Sequence, residues 1–254
     1  MKSMHRALTI AALLGLSAAA QAGVVRIQES AFLPTAGLIT FSEFGPGTQN
    51  PTYAPATYGG GAGAPTVTFD GWFLGQARGT AATCPPGAAV TGCVVGNPTG
   101  PLALDPASPN AFITSDGANP TSPVLSGSPT FNGSIAILFS TDQVGVGLTG
   151  GFFNAIGGTA ITAFDRSGNV IGSVTNARTG IEFLGLVTED GSATIAGLLF
   201  SLVGAEPAGF AIDNVRFGRA GDIVNPNPVP EPATLSLLGL GLLGAAAARR
   251  RRRA

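Results

Sequence analysis

The 254-residue chain holds 38 glycines and 19 prolines, yet 44% of its residues are hydrophobic and only 11% are charged. So many helix breakers exclude a helical bundle or coiled coil, and so much apolar content excludes a disordered chain. Between Gly23 and Pro230 stand six arginines against thirteen acids, a net charge of −7, with neither Lys nor His. That stretch cannot present a basic nucleic-acid footprint, nor use a histidine base or a histidine metal ligand.

The first predicted element is a leader. Lys2, His5 and Arg6 precede the apolar run Ala7–Ala20, and Ala20-Gln21-Ala22 forms a small-residue cleavage site before Gly23. This three-part pattern is that of a secretory signal peptide over residues 1–22, removed by signal peptidase between Ala22 and Gly23.

Residues 23–217 read as one all-β domain, a single jelly-roll-like β-sandwich with long Pro/Gly-rich loops. The predicted strands are Val24–Gln28, Leu38–Phe44, Thr66–Phe69, Trp72–Gln76, Ala111–Thr114 and Ser134–Ser140. They continue with Val144–Leu148, Thr159–Asp165, Val170–Thr175, Ile181–Val187, Thr194–Leu202 and Gly209–Phe217. Asx-Gly pairs such as Asp70-Gly71, Asn132-Gly133 and Asp190-Gly191 supply the turns between them. Most prolines fall in residues 45–130, which read as irregular loops inserted between early strands. In that part lie Cys84 and Cys93; an exported chain with two cysteines pairs them as a disulfide.

Residues 218–229 (GRAGDIVNPNPV) form a polar linker. The chain then reads Pro230-Glu231-Pro232, sixteen apolar residues (Ala233–Ala248) and the cluster Arg249, Arg250, Arg251, Arg252 and Arg253. Sixteen helical residues span roughly 24 Å, enough for a transmembrane helix if the bilayer thins or arginines snorkel. The arginines keep that end cytoplasmic and the body on the far side.

A Pro-Glu-Pro motif, a short apolar helix and a terminal arginine cluster, in that order over residues 230–254, resemble the PEP-CTERM sorting signal of Gram-negative bacteria. The resemblance implies exosortase as the processing partner, membrane attachment before cleavage, and release to the cell surface or medium, commonly alongside exopolysaccharide. The phrases Ile161–Val174, Gly180–Leu186 and Phe210–Phe217 resemble jelly-roll domains common in such proteins. Those domains are similar to galactose-binding-like and discoidin-type sandwiches, which often carry calcium and bind sugars at one loop end.

Candidate sites are few. Without histidine, no Ser-His-Asp or Cys-His set exists, and Gly59-Gly60-Gly61 lacks the Lys-Ser/Thr of a phosphate loop. Glu43, which ends the first strong strand, and Asp213, in the last, are acids that burial would make costly without a cation or several donors. They are the candidate ligands of a structural Ca²⁺ joining first strand to last; the alternative is ordinary turn hydrogen bonding. Trp72, Tyr53 and Tyr58, in the irregular half, are the candidate sugar-stacking surface; Trp72 could equally cap the core. The expected function is a structural or binding role at the surface or in extracellular matrix, with no catalytic residues, the alternative being a carbohydrate-active hydrolase using two carboxylates.

Overall fold

A computed structural model describes residues 23–117, 123–208, 210–224 and 226. The expected signal peptide, the Pro-Glu-Pro motif, the transmembrane helix and the arginine cluster lie outside the described residues.

Among the described residues fifteen strands follow in chain order. The early ones are short: β1 (Val24–Ile27), β2 (Gly37–Ile39), β3 (Thr52–Tyr53), β4 (Val67–Asp70), β5 (Ala77–Arg78), β6 (Val94–Val95), β7 (Phe112–Thr114) and β8 (Val124–Ser126). The later ones are longer: β9 (Ile135–Gln143), β10 (Gly145–Phe153), β11 (Thr159–Phe164), β12 (Val170–Thr175), β13 (Gly180–Thr188), β14 (Ile195–Leu202) and β15 (Ala211–Gly218). One sheet has the order β1-β13-β10-β15-β8-β7, with β2 also beside β15; a second runs β12-β11-β14-β9-β4-β3, and β5 and β6 form a small third sheet. Every strand pairing is antiparallel. The protein is an antiparallel β-sandwich, as its turn-punctuated apolar runs predict.

Strand alternation explains the layers. Val146 and Leu148 of β10 face Leu198 and Phe200 of β14 in the main core, with Phe69, Phe139, Ile212 and Val215. The β14 residues that point the other way, across a register shift between Ile195 and Gly197, are apolar too. Ala196 and Leu199 point outward from β14 into a second cluster with Trp72, Phe73, Leu102 and Phe164. The Pro/Gly-rich segment around residues 72–104 is therefore a third layer over the outer face of the second sheet, which is why β14 is buried at all eight positions. A smaller cluster of Ile27, Phe32, Val144 and Val187 covers part of the first sheet.

Two predicted strands change. Leu38–Phe44 stops at Ile39, because Phe41 turns into the left-handed region (φ 58°) and Glu43 Oε1 accepts hydrogen bonds from Thr40 N and Oγ1. Trp72–Gln76 is a turn, in which Gln76 Oε1 accepts the Phe73 N–H; Phe73 makes a lone bridge to Leu104. The Cys84–Cys93 disulfide is present, packed over Gly79, where a Cβ would lie 2.3 Å from Cys84 Sγ. The first part of the expected linker is docked: Leu33 N–H donates to Asp222 O and Val224 N–H to Ala31 O, both at 2.8 Å.

Candidate functional site

The pairing of β2 with β15, Ile39 opposite Val215, carries the segment after β2 to the last strand. There Asp213 is 1% exposed, its Oδ1 accepting the Asn214 N–H at 2.7 Å. Asn214 takes a left-handed backbone (φ 48°) beside a register shift in the β10–β15 ladder. Tyr53, fully buried, has a hydroxyl with no hydrogen-bond partner, and Glu43 Oε2 is likewise buried and unpartnered. Burial, and then the negative fields of Glu43 and Asp213, push the Tyr53 hydroxyl above its ordinary pKa. The two acids thus lie within electrostatic reach of the buried phenol, the pairing of β2 with β15 having brought the segment after β2 toward the last strand. An unpartnered carboxylate oxygen in such a place matches, in kind, the oxygen donors a hard cation takes. Among the described residues no three His, Cys, Asp or Glu side chains gather in a metal-sized group, so further ligands would have to be main-chain or phenolic oxygens.

The three aromatic candidates separate. Trp72 is 9% exposed, packed on Phe73 and Leu102, with its indole N–H donated to Asp105 Oδ2 at 3.2 Å. It caps the outer cluster and offers no stacking face. Tyr53 lies edge-on to Phe41 and Phe69 in the core, so it is no surface platform either. Both expectations fail because the irregular half is itself a packed layer, and its aromatics are what it packs with.

Tyr58 alone lines a cleft. Its volume is about 570 Å³, and its walls include Tyr58, Phe217, Gln143, Arg219, Asp222 and the Gly59–Gly61 turn. The Tyr58 ring meets Phe217 edge-on at 5.3 Å, and its hydroxyl donates to Pro65 O at 2.5 Å. Gly60 is required here, since a Cβ would come within 2.6 Å of the Tyr58 ring. Burial pushes the phenol up to about 12, with the Arg219 guanidinium partly opposing the rise. The Gly-rich turn, which the sequence marks only as no phosphate loop, forms one wall.

Other buried acids were missed by sequence reading. Asp70, 7% exposed, accepts from Gly71 N–H at 2.8 Å and Ser108 Oγ–H at 2.7 Å. Burial raises its pKa, and the nearby Asp105 adds to the rise. Asp70-Gly71 signals the turn; nothing local signals Ser108, thirty-eight residues away. Glu206 is wholly buried, taking the N–H groups of Asn154 and Ala155. Glu182 takes those of Ala177 and Arg178, and pairs with Arg26 at 2.5 Å.

Residues 228–253 match the PEP-CTERM protein-sorting motif. No curated protein matches the chain. Among solved structures, the enzymatically active domain of tailspike protein 4 from bacteriophage CBA120 aligns with 62% of this chain and 18% of its own, at 16% identity and a TM-score of 0.24. This chain therefore spans under a fifth of that protein's length, and at this level of similarity the likeness says nothing of chemistry. With its sorting motif at residues 228–253, the chain is marked as an exported exosortase substrate, addressed to the cell surface or extracellular space.

Proposed function

We propose that the body is a binding module of the cell surface or extracellular matrix, and that it holds polysaccharide in the cleft beside Tyr58. The observation that carries this reading is the cleft itself. It joins an aromatic wall, Tyr58 on Phe217, to a few polar groups, Gln143, Arg219 and Asp222, the combination that sugar recognition uses. Processed by signal peptidase at one end and exosortase at the other, such a module would reach the exopolysaccharide outside the cell.

The test is retention of the mature chain on polysaccharide from the producing cells. Thr35 is exposed on the cleft rim, so Thr35→Trp fills the cleft without touching the core. Retention by the native chain and release of the variant support the reading; equal behaviour of both overturns it.

A structural Ca²⁺ at Glu43, Asp213 and Tyr53 belongs to the same proposal. It would neutralise the two carboxylates and fix the last strand against the segment after β2. The second reading, a hydrolase, is favoured by one pair: Asp70, whose carboxyl is held toward the protonated form, beside Asp105, which is bonded to Trp72. Release of reducing ends from the same polysaccharide, abolished in Asp70→Asn, would select it.

A further inference from the structure

We infer that the cleft is specific for carboxylate-bearing saccharide, a uronate whose carboxylate meets the Arg219 guanidinium. This rests on the polysaccharide reading of that cleft and names its substrate class.

Arg26, Arg166, Arg178 and Arg216 each have a carboxylate oxygen within ion-pair distance. Arg78 and Arg219 have none among the described residues, and of the two Arg219 lines the cleft. Its main chain is fixed by a tight turn, with Arg219 N–H donated to Asp222 Oδ2 and Asp222 N–H to Arg219 O, both at 3.0 Å. The side chain lies across the Gly-rich turn, where a Cβ on Gly63 would come within 3.1 Å of Nη1. Arg219 is exposed, so its guanidinium can be reached from solvent.

Asp222 is the one acid lining the cleft, and the turn already engages its carboxylate. The two charges thus divide their work. The acid holds the turn, and the base is left for a ligand. A single guanidinium offers two parallel N–H donors, matched to the planar, singly charged carboxylate of a uronate. Around it the body carries a net charge of −7, which repels a polyanion everywhere that lacks a local cation. Discrimination therefore falls to Arg219, while the Tyr58–Phe217 wall takes the apolar sugar face.

The experiment uses the mature chain from the medium with two probes of one backbone, polygalacturonate and its fully methyl-esterified form. The native chain should bind the acid form about tenfold or more tightly, with the preference shrinking as salt rises. Arg219→Gln, at an exposed position, should bind both forms equally, and Thr35→Trp neither. Equal binding of the two polymers by the native chain, or a preference surviving in Arg219→Gln, overturns the inference and leaves the polysaccharide reading standing. Binding of neither polymer, together with unchanged retention of Thr35→Trp on the native polysaccharide, overturns both.

Discussion

Glu206 accepts the main-chain N–H of Asn154 with both carboxylate oxygens, at 3.0 and 2.9 Å, from a position fully shielded from solvent. The Ala155 N–H and the Asn154 side-chain amide complete the cage. One carboxylate thereby fastens the β14–β15 connection to the β10–β11 loop. Removing it takes the acceptor from three part-buried donors, and a lost partner costs up to about 1–3 kcal/mol where the donor is shielded from water. Glu206→Ala should lose roughly 3 kcal/mol in urea denaturation, and Glu206→Gln, which keeps one acceptor, less. A variant as stable as the native protein would show the cage to be slack.

The Glu43–Asp213–Tyr53 locality predicts a calcium response. At about one hundred times its dissociation constant, a ligand specific to the folded state adds about 2.7 kcal/mol, or roughly 5–10 °C in Tm for a body of this size. Calcium should raise the Tm of the mature chain, EDTA should reverse the rise, and Asp213→Asn should be insensitive to both. A Tm indifferent to EDTA and calcium would remove the cation from the proposal.

Asp70 makes stability depend on acid in a direction opposite to that of a salt-bridged carboxylate. Its folded pKa lies above the ordinary 3.8, chiefly through burial, so the folded state binds the proton more tightly than the unfolded state. The penalty for charging Asp70 is absent below 3.8 and grows as pH rises through the folded value. The stability of Asp70→Asn relative to the native protein should therefore increase between pH 3.5 and neutrality, read as the difference of two urea midpoints. A difference flat with pH refutes the coupling.

The Cys84–Cys93 bridge closes a short loop, with a sequence separation of nine. By loop-closure entropy it stabilises by about 2–3 kcal/mol. The Cys84→Ser, Cys93→Ser double variant should unfold at correspondingly lower urea, while a wild-type chain treated with reductant should match it.

Sorting is checked by intact mass. The protein recovered from the surface or medium should begin at Gly23 and end near Pro230, and Glu231→Ala should keep its tail and remain in the membrane. An intact tail on both would argue against exosortase cleavage.

The strands legible in the sequence are those whose apolar runs are long enough to show a bounded pattern. Val170–Thr175 is found to the residue, and β9, β11, β13, β14 and β15 are each anticipated within a few positions, while β10 runs on past the expected Leu148 to Phe153. The strands missed, β3, β5, β6 and β8, are two or three residues long; their ladders are dictated by neighbours, not by any local pattern. The same reason hides the cleft. Gly37 and Phe217 meet on the β2–β15 pair, so closely that a Cβ on Gly37 would lie 2.2 Å from the Phe217 ring, and no spacing in the chain encodes that meeting. Glu43 and Asp213 are legible because each is an acid within or just beyond a β-prone apolar run, Glu43 following β2 and Asp213 lying inside β15. Tyr53 and Trp72 were misplaced because an irregular, proline-rich segment reads as surface, although here it is a packed layer.

The docked segment Ala220–Val224 also has a mechanical meaning. A pull on the residues beyond the body would enter it at Val224, whose N–H is held by Ala31 O, with Asp222 O held by Leu33 N–H and Ile223 bridged to Phe32. Load is thus shared with the segment that follows β1, and β15 is not peeled from its sheet one residue at a time. The strand carrying Asp213 is thereby shielded from any pull on the residues that follow it.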